Sequence, residues 1–368
     1  MSGGEGRPSV RLPVHPARRP AEGGRPGRGA SGNPANRFER LAFEPDPGAA
    51  DADEPAVTTS FFRDATRRIL ARNDSPDVGF DVSVNPYRGC EHGCIYCYAR
   101  PTHEYLGFSS GLDFESKILV KEDAPALLRE ALTEPSWKPQ VVAMSGVTDP
   151  YQPVEARLGI TRGCLEVLAE LRNPVSIITK NHLVTRDIDL LAELARHDAA
   201  VVNISITTLD RRLQRVMEPR TSTPDRRLQA IRALAGAGIP VRVMVAPVIP
   251  GLTDHEIPAV IHAAAEAGAS DAGITVLRLP HSVKDLFTLW LEEHFPDRRD
   301  KVLNRIRALR GGRLNDPRFG CRIRGEGEFA EQIRGLYDAA CRTARFPRRP
   351  PALSTGAFRR PDQQLRLF

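Results

Sequence analysis

The sequence predicts an α/β protein built as a partial (β/α)6 TIM-type barrel with disordered tails. Three observations predict it: six strand-like apolar runs, helical patterns alternating with them, and polar or glycine-containing sequence at the end of each run. Repeated β-α alternation implies a parallel sheet covered by helices. Six units are too few for the full eight-stranded barrel. They fit an open one, whose functional groups belong at the C-terminal ends of the strands.

In chain order, residues 1–57 are rich in Gly, Pro, Arg and Ala, begin basic and end acidic, and show almost no apolar periodicity. Such a segment cannot bury enough surface to order itself and is expected to be a disordered tail. The barrel core is expected over residues 58–310. Ser60 to Leu70 has the spacing of a short amphipathic helix, and Phe80-Asp-Val-Ser-Val84 alternates like a strand. Further strands are expected at Val141–Met144, Val175–Thr179, Val201–Ser205, Val241–Val245 and Gly273–Leu277. Helices are expected at Thr161–Leu171, Asp187–Arg196, Pro224–Ala235 and Asp254–Ala267. Several of these open on a capping residue or proline and close near glycine, as at Thr223-Pro224 and Gly236. Residues 311–341 form a helical extension around Glu328 to Ala340. Residues 342–368 are basic and proline-broken and are expected to be unfolded.

No apolar run approaches the length of a membrane helix and no signal-type apolar region follows the basic N-terminus, so a cytoplasmic protein is expected. Six cysteines, three of them in one cluster, suit a reducing compartment better than a disulfide scaffold. The net charge of +6 comes mostly from arginine, with only six lysines, and is compatible with a nucleic-acid partner without establishing one.

The stretch that carries chemistry is Val84-Asn-Pro-Tyr-Arg-Gly-Cys90-Glu-His-Gly-Cys94-Ile-Tyr-Cys97, directly after the first strand. Cys90, Cys94 and Cys97 are close enough in the chain for their thiolates to converge on one small object. Three thiolates can hold three corners of a [4Fe–4S] cluster, where electron-transfer clusters usually take four, leaving one iron open. Gly89 and Gly93 suit a backbone that bends tightly. The alternative is structural zinc. It requires a fourth ligand, commonly from a second CxxC half, which this chain lacks; His92 is too close in the chain to supply it.

The C-x3-C-x2-C spacing, with Tyr96 before the third cysteine, resembles the signature of the radical S-adenosylmethionine (SAM) superfamily. The cysteine loop, Thr148-Asp-Pro-Tyr-Gln-Pro153, Ile178-Thr-Lys180 and Pro250-Gly-Leu-Thr-Asp254 look most like its spore photoproduct lyase-related branch. The resemblance implies a partial barrel, a [4Fe–4S] cluster whose open iron binds SAM, and an electron donor such as flavodoxin or ferredoxin. It also implies reductive cleavage of SAM to a 5′-deoxyadenosyl radical, which abstracts hydrogen from substrate. Tyr96 would lie against adenine, Ser145 and Gly146 would face the SAM amino group, and Ser205 the ribose. Lys180 is the expected partner of the SAM carboxylate. Asp149, Glu218 and Arg220 are candidate substrate groups, since a carboxylate and a guanidinium at a strand end can clamp a polar ligand such as phosphate. The repair lyases of this branch carry a hydrogen-donor cysteine near the second-strand turn. Ser145-Gly-Val-Thr148 has none, which makes Cys164 the candidate substitute and leaves the lyase reaction open.

Gln364-Leu-Arg-Leu-Phe368 resembles the peptide with which bacterial repair and replication proteins dock on the DNA sliding clamp. Gln364 would anchor by hydrogen bonds while Leu365, Leu367 and Phe368 fill apolar pockets. Docking of this tail on the protein's own barrel is the rival reading. Cys321 and Cys341 are either ligands of a second cluster or inert thiols. Together these features point to a DNA-directed radical SAM enzyme. Modification of RNA or a protein side chain, or a non-catalytic iron–sulfur sensor, are the alternatives.

Overall fold

The structure is a computed structural model that describes residue 25 and residues 27–39, 57–347 and 352–360. The first part of the chain forms strands β1 (Ser60–Arg63), β2 (Leu70–Arg72), β3 (Val82–Val84) and β4 (Tyr87–Arg88), then helix α1 (Leu112–Ser116), β5 (Lys117–Val120) and α2 (Ala124–Thr133). The central part runs β6 (Val142–Met144), α3 (Glu155–Leu158), α4 (Ile160–Leu171), β7 (Val175–Thr179), α5 (Ile188–Ala195), β8 (Ala200–Ser205), α6 (Arg211–Met217) and α7 (Pro224–Gly236). It continues through β9 (Val241–Val248), α8 (Ile257–Glu266), β10 (Asp271–Val276), α9 (Val283–His294), α10 (Pro296–Leu309), α11 (Cys321–Arg324) and α12 (Glu328–Thr343).

Strands β3, β6, β7, β8, β9 and β10 lie side by side in that order and are all parallel, with β2 added antiparallel at the β3 edge. Parallel strands that follow in sequence order, each returned by a helix, build the wall of a (β/α) barrel. Stopping at the sixth strand leaves that wall open. The expected partial barrel and the positions of its six strands are therefore observed.

Strand periodicity explains which face is which. Val142 and Met144, Val175 and Ile177, Val202 and Ile204, and Val241, Val243 and Val245 belong to the apolar core beneath the helices. The alternate residues, such as Ser83, Ser176, Asn203, Ser205, Arg242 and Met244, lie on the other face, toward the barrel interior. There Asn203 donates to Ser176 Oγ at 3.0 Å and to the Ile177 carbonyl. Helix α4 shows the complementary pattern, burying Ile160, Cys164, Leu165, Val167, Leu168 and Leu171. Each large apolar side chain so buried contributes about 1.5–3 kcal/mol.

The structure departs from the sequence expectation in three places. Ser60 to Leu70 is not a helix: β1 pairs with β5, which also takes β4, forming a small three-stranded sheet. The Phe61-Phe62 pair serves this strand, with Phe62 against the Phe108 ring at 6.1 Å and Arg157 over Phe61. Residues 27–39, expected within a disordered tail, are pinned by hydrogen bonds to α1, α9 and the segment before α1. Residues 352–360, also expected to be unfolded, cross the end of the barrel opposite the strand C-termini. There Ser354 N–H donates to the Asp198 carbonyl, Arg359 N–H to Leu171 and Arg360 to Trp137. The Gln364–Phe368 peptide lies outside the described residues. Among the described residues no helix is long and apolar enough to cross a membrane.

Candidate active site

The turn leaving β3 holds the three cysteines at the barrel mouth. Gly93 has φ 66°, and a Cβ there would stand 2.7 Å from Glu115 Oε2, so the loop requires glycine for both its backbone and its packing. Cys90 and Cys94 are buried and Cys97 is half-buried. The thiols lie within electrostatic reach of one another. Burial and then the Glu218 charge push the Cys94 thiol well up, while Lys180 pulls it back. Burial and Cys90 push Cys97 up, opposed by Arg100 and Lys180. Such thiols ionise only when a metal takes the proton's place. Three thiols on one short loop are the ligand set expected at three corners of a multi-iron cluster.

The ends of β7, β8 and β9 complete the wall beside this loop. Lys180, just after β7, donates from Nζ to the Ala246 carbonyl at 3.2 Å and lies 5.9 Å from the Tyr96 ring centre. Its charge acts on Cys94, Cys97 and Glu218. Tyr96 is buried, and its hydroxyl donates to Glu218 and stands 3.2 Å from Thr207 Oγ1. Burial and the Glu218 charge keep that phenol protonated. Ser205, at the end of β8, is buried and its hydroxyl makes no hydrogen bond among the described residues, whereas Thr207 is spent on Glu218 and Ala246. At the end of β6, in the turn expected to face SAM, Ser145 has φ 141°, strained for a residue with a side chain, and Gly146 φ 110°, which glycine adopts freely. Of the expected SAM-facing residues, Lys180 lies near Tyr96 and Cys94, and Gly146 meets Tyr98 next to Cys97, while Ser205 stands at the end of β8.

The candidate substrate groups are placed differently. Glu218 is fully buried and serves Arg227, Tyr96 and Thr207. Burial raises its pKa, but Arg227, Lys180 and the hydrogen bonds from Tyr96 and Arg227 outweigh that and bring it down to about 2. It braces the site from within. Arg220 pairs with Glu91 at 3.1 Å and donates to Thr59. Asp149 accepts from Thr179 Oγ1 and the Lys180 N–H, both at 2.7 Å, and pairs with His92 Nδ1 at 3.3 Å, so it ties the cysteine loop to β7. Burial opposes its ionisation, yet His92 and these donors hold its pKa down. Cys164 sits on α4 with no exposed surface, in the core beneath the helices, and burial followed by Glu155 pushes its thiol up. The sheet wall separates it from the mouth, which argues against a hydrogen-donor role. Cys321 donates to Glu326 at 2.7 Å, and Cys341 lies on α12 beside Tyr337.

Two residues at the mouth escaped the sequence reading. Tyr98 is 48% exposed and donates to the Gly146 carbonyl at 2.6 Å. Arg278, two residues past β10, stacks over the Tyr98 ring with 5.0 Å to its centre. It is half-buried, its buried Nε has no partner, and it makes no hydrogen bond or ion pair among the described residues. The signals were present, an aromatic directly after Cys97 and an arginine at the end of the sixth strand, but neither type is distinctive alone.

Comparison with known proteins agrees with this arrangement. The Radical SAM superfamily model matches residues 84–264. An uncharacterized protein of Mycobacterium tuberculosis (strain ATCC 25618 / H37Rv) is 42% identical over 232 residues, covering 62% of this chain and 67% of the relative. One from Methanocaldococcus jannaschii is 31% identical over 184 residues, 50% of this chain and 66% of the relative. Among solved structures, spore photoproduct lyase complexed with dinucleoside spore photoproduct aligns with a TM-score of 0.54 at 18% identity. It covers 77% of this chain and 79% of the lyase, a likeness of fold. The cysteine loop, the order of the strand ends and these matches lead to one assignment: the chain belongs to the radical SAM superfamily and is a radical SAM enzyme.

Proposed function

We propose that Cys90, Cys94 and Cys97 hold a [4Fe–4S] cluster, that SAM binds against the same wall, and that the substrate is a phosphate-bearing nucleic acid, DNA or a repair intermediate. The observation that carries the substrate class is Arg278, a half-buried guanidinium at the mouth without a hydrogen bond or carboxylate partner among the described residues. A guanidinium so placed is suited to phosphate. When bound, the cluster and SAM supply one-electron cleavage of the sulfonium and hydrogen abstraction from an unactivated C–H.

The chain's own residues bind and orient. Lys180 offers its ammonium to the SAM carboxylate while remaining close to Cys94 and Cys97. The Tyr96 ring is held rigid by Glu218 and Thr207 and presents a flat face for adenine. The free hydroxyl of Ser205 suits a ribose, and the strained Ser145-Gly146 turn directs backbone groups toward the SAM amine. Arg278 on Tyr98 sets the substrate phosphate at the rim. Gln364, Leu365, Leu367 and Phe368 are proposed to engage a sliding clamp.

The test is anaerobic turnover of reconstituted protein with dithionite and SAM, following 5′-deoxyadenosine with and without damaged duplex DNA. Product is expected from the wild type and none from Cys94→Ala. DNA should stimulate the wild type and stimulate Arg278→Ala less. Product that ignores DNA of any kind would overturn the substrate class, and no product from an intact cluster would overturn the enzyme reading.

A further inference from the structure

The segment from Gly27 to Glu39 lies well outside the region matched by the superfamily model, yet it is built into the cysteine loop. Its Gly29 and Ala30 N–H groups donate to the two oxygens of Glu115, at 3.0 and 2.9 Å. Glu115 is fully buried and forms an ion pair with Arg100, which is also fully buried. Arg100 in turn donates from Nε to the Cys94 carbonyl at 3.0 Å and from Nη2 to the Gly93 carbonyl at 3.1 Å. An unbroken chain of charge-assisted hydrogen bonds therefore runs from the segment to the backbone between the first and second cysteines. Contact is also direct. A Cβ on Gly29 would fall 1.7 Å from the Gly93 carbonyl oxygen, an approach no other residue type allows.

The same segment spans the open side of the barrel. Arg37 pairs with the buried Glu104, which lies in the insertion after the cysteines, and contacts His281, beyond β10. Ser31 donates to Glu293 on α9 at 2.8 Å. One strap thus fastens the first-strand side to the sixth-strand side at the level of the cysteines.

We propose that this strap is a working part of the cluster site: Gly29, Ala30, Glu115 and Arg100 are positioning residues that hold the Cys90–Cys97 backbone in the shape the cluster needs. The inference rests on the cluster assignment above, so its test needs one readout that depends on the cluster and one that does not.

A matched glycine pair supplies it. Gly29→Ala places a methyl group into the Gly93 carbonyl, whereas a Cβ on Gly32, in the same strap, meets nothing within 4 Å. The first readout is amide hydrogen exchange over residues 90–100 in cluster-free protein. Gly29→Ala should exchange about tenfold faster than wild type, the factor corresponding to about 1.4 kcal/mol of lost hydrogen bonding, and Gly32→Ala should match wild type. The second is the decay in air of the cluster's visible absorbance after anaerobic reconstitution, which should quicken in Gly29→Ala alone. A chain starting at residue 40 should reproduce Gly29→Ala in both, and its circular dichroism shows whether the barrel remains folded. Exchange unchanged in Gly29→Ala and in the truncated chain overturns the strap. A wild type that takes up no iron and sulfide overturns the cluster assignment instead, while exchange still decides the strap.

Discussion

Two segments with the composition of tails are ordered by opposite means. Residues 27–39 reach the mouth and are fixed by two buried carboxylates, Glu115, which also holds Arg100, and Glu104, which also accepts from Ser282. Residues 352–360 cross the far end and are fixed by backbone carbonyls at helix ends, with Phe358 against the core and Arg359 and Arg360 largely at the surface. The first segment is coupled to the chemistry and the second is a fastening. Buried charge transmits position because moving it is costly, whereas surface hydrogen bonds to carbonyls exchange readily with water.

The comparison can be broken most directly at Arg100. Arg100→Leu takes the paired cation from the fully buried Glu115 and leaves it the Gly29 and Ala30 N–H donors, and a loss of about 3–5 kcal/mol is expected in urea unfolding. A loss below about 1 kcal/mol would mean that the pair transmits little, and the contrast between the two segments would fail. Arg37→Ala should cost less, about 1–3 kcal/mol, because Glu104 keeps the hydrogen bond from Ser282 at 3.1 Å. It should also raise hydrogen exchange round Ser282, which a purely local loss would not do. The smallest effect is expected at the far end. Ending the chain after residue 347 should cost about 1–2 kcal/mol, mostly from Phe358, and leave the cluster's lifetime in air unchanged. A shortened lifetime there would show that the two ends of the barrel communicate.

Much of the fold was legible because strands of a helix-covered sheet announce themselves as apolar runs. Val175–Thr179 is found as expected, and the other five parallel strands differ by a few residues at their ends. The strap was not legible, because Gly, Pro, Asn and Arg over residues 27–39 look the same whether solvated or anchored to carboxylates 65 or more positions away. The site divides in the same way. Spacing and the rarity of lysine pointed to Cys90, Cys94, Cys97 and Lys180, and the structure places them within electrostatic reach of one another. The partners of Asp149 and Glu218 were not legible, since nothing local shows that His92 and Arg227 pair with them in space. For Cys164 the sequence offered a donor or an inert buried helix cysteine, and its burial on the outer side of the sheet fits the second.

The course of residues 352–360 has a practical consequence. A chemical handle placed after Arg360 would fix the molecule by the pole opposite its mouth, presenting the cysteine loop outward in one orientation. Attached in that way to a gold electrode or a sensor chip, a film of the protein would expose every mouth to solution. Currents or binding signals from small molecules and DNA could then be read without averaging over random orientations.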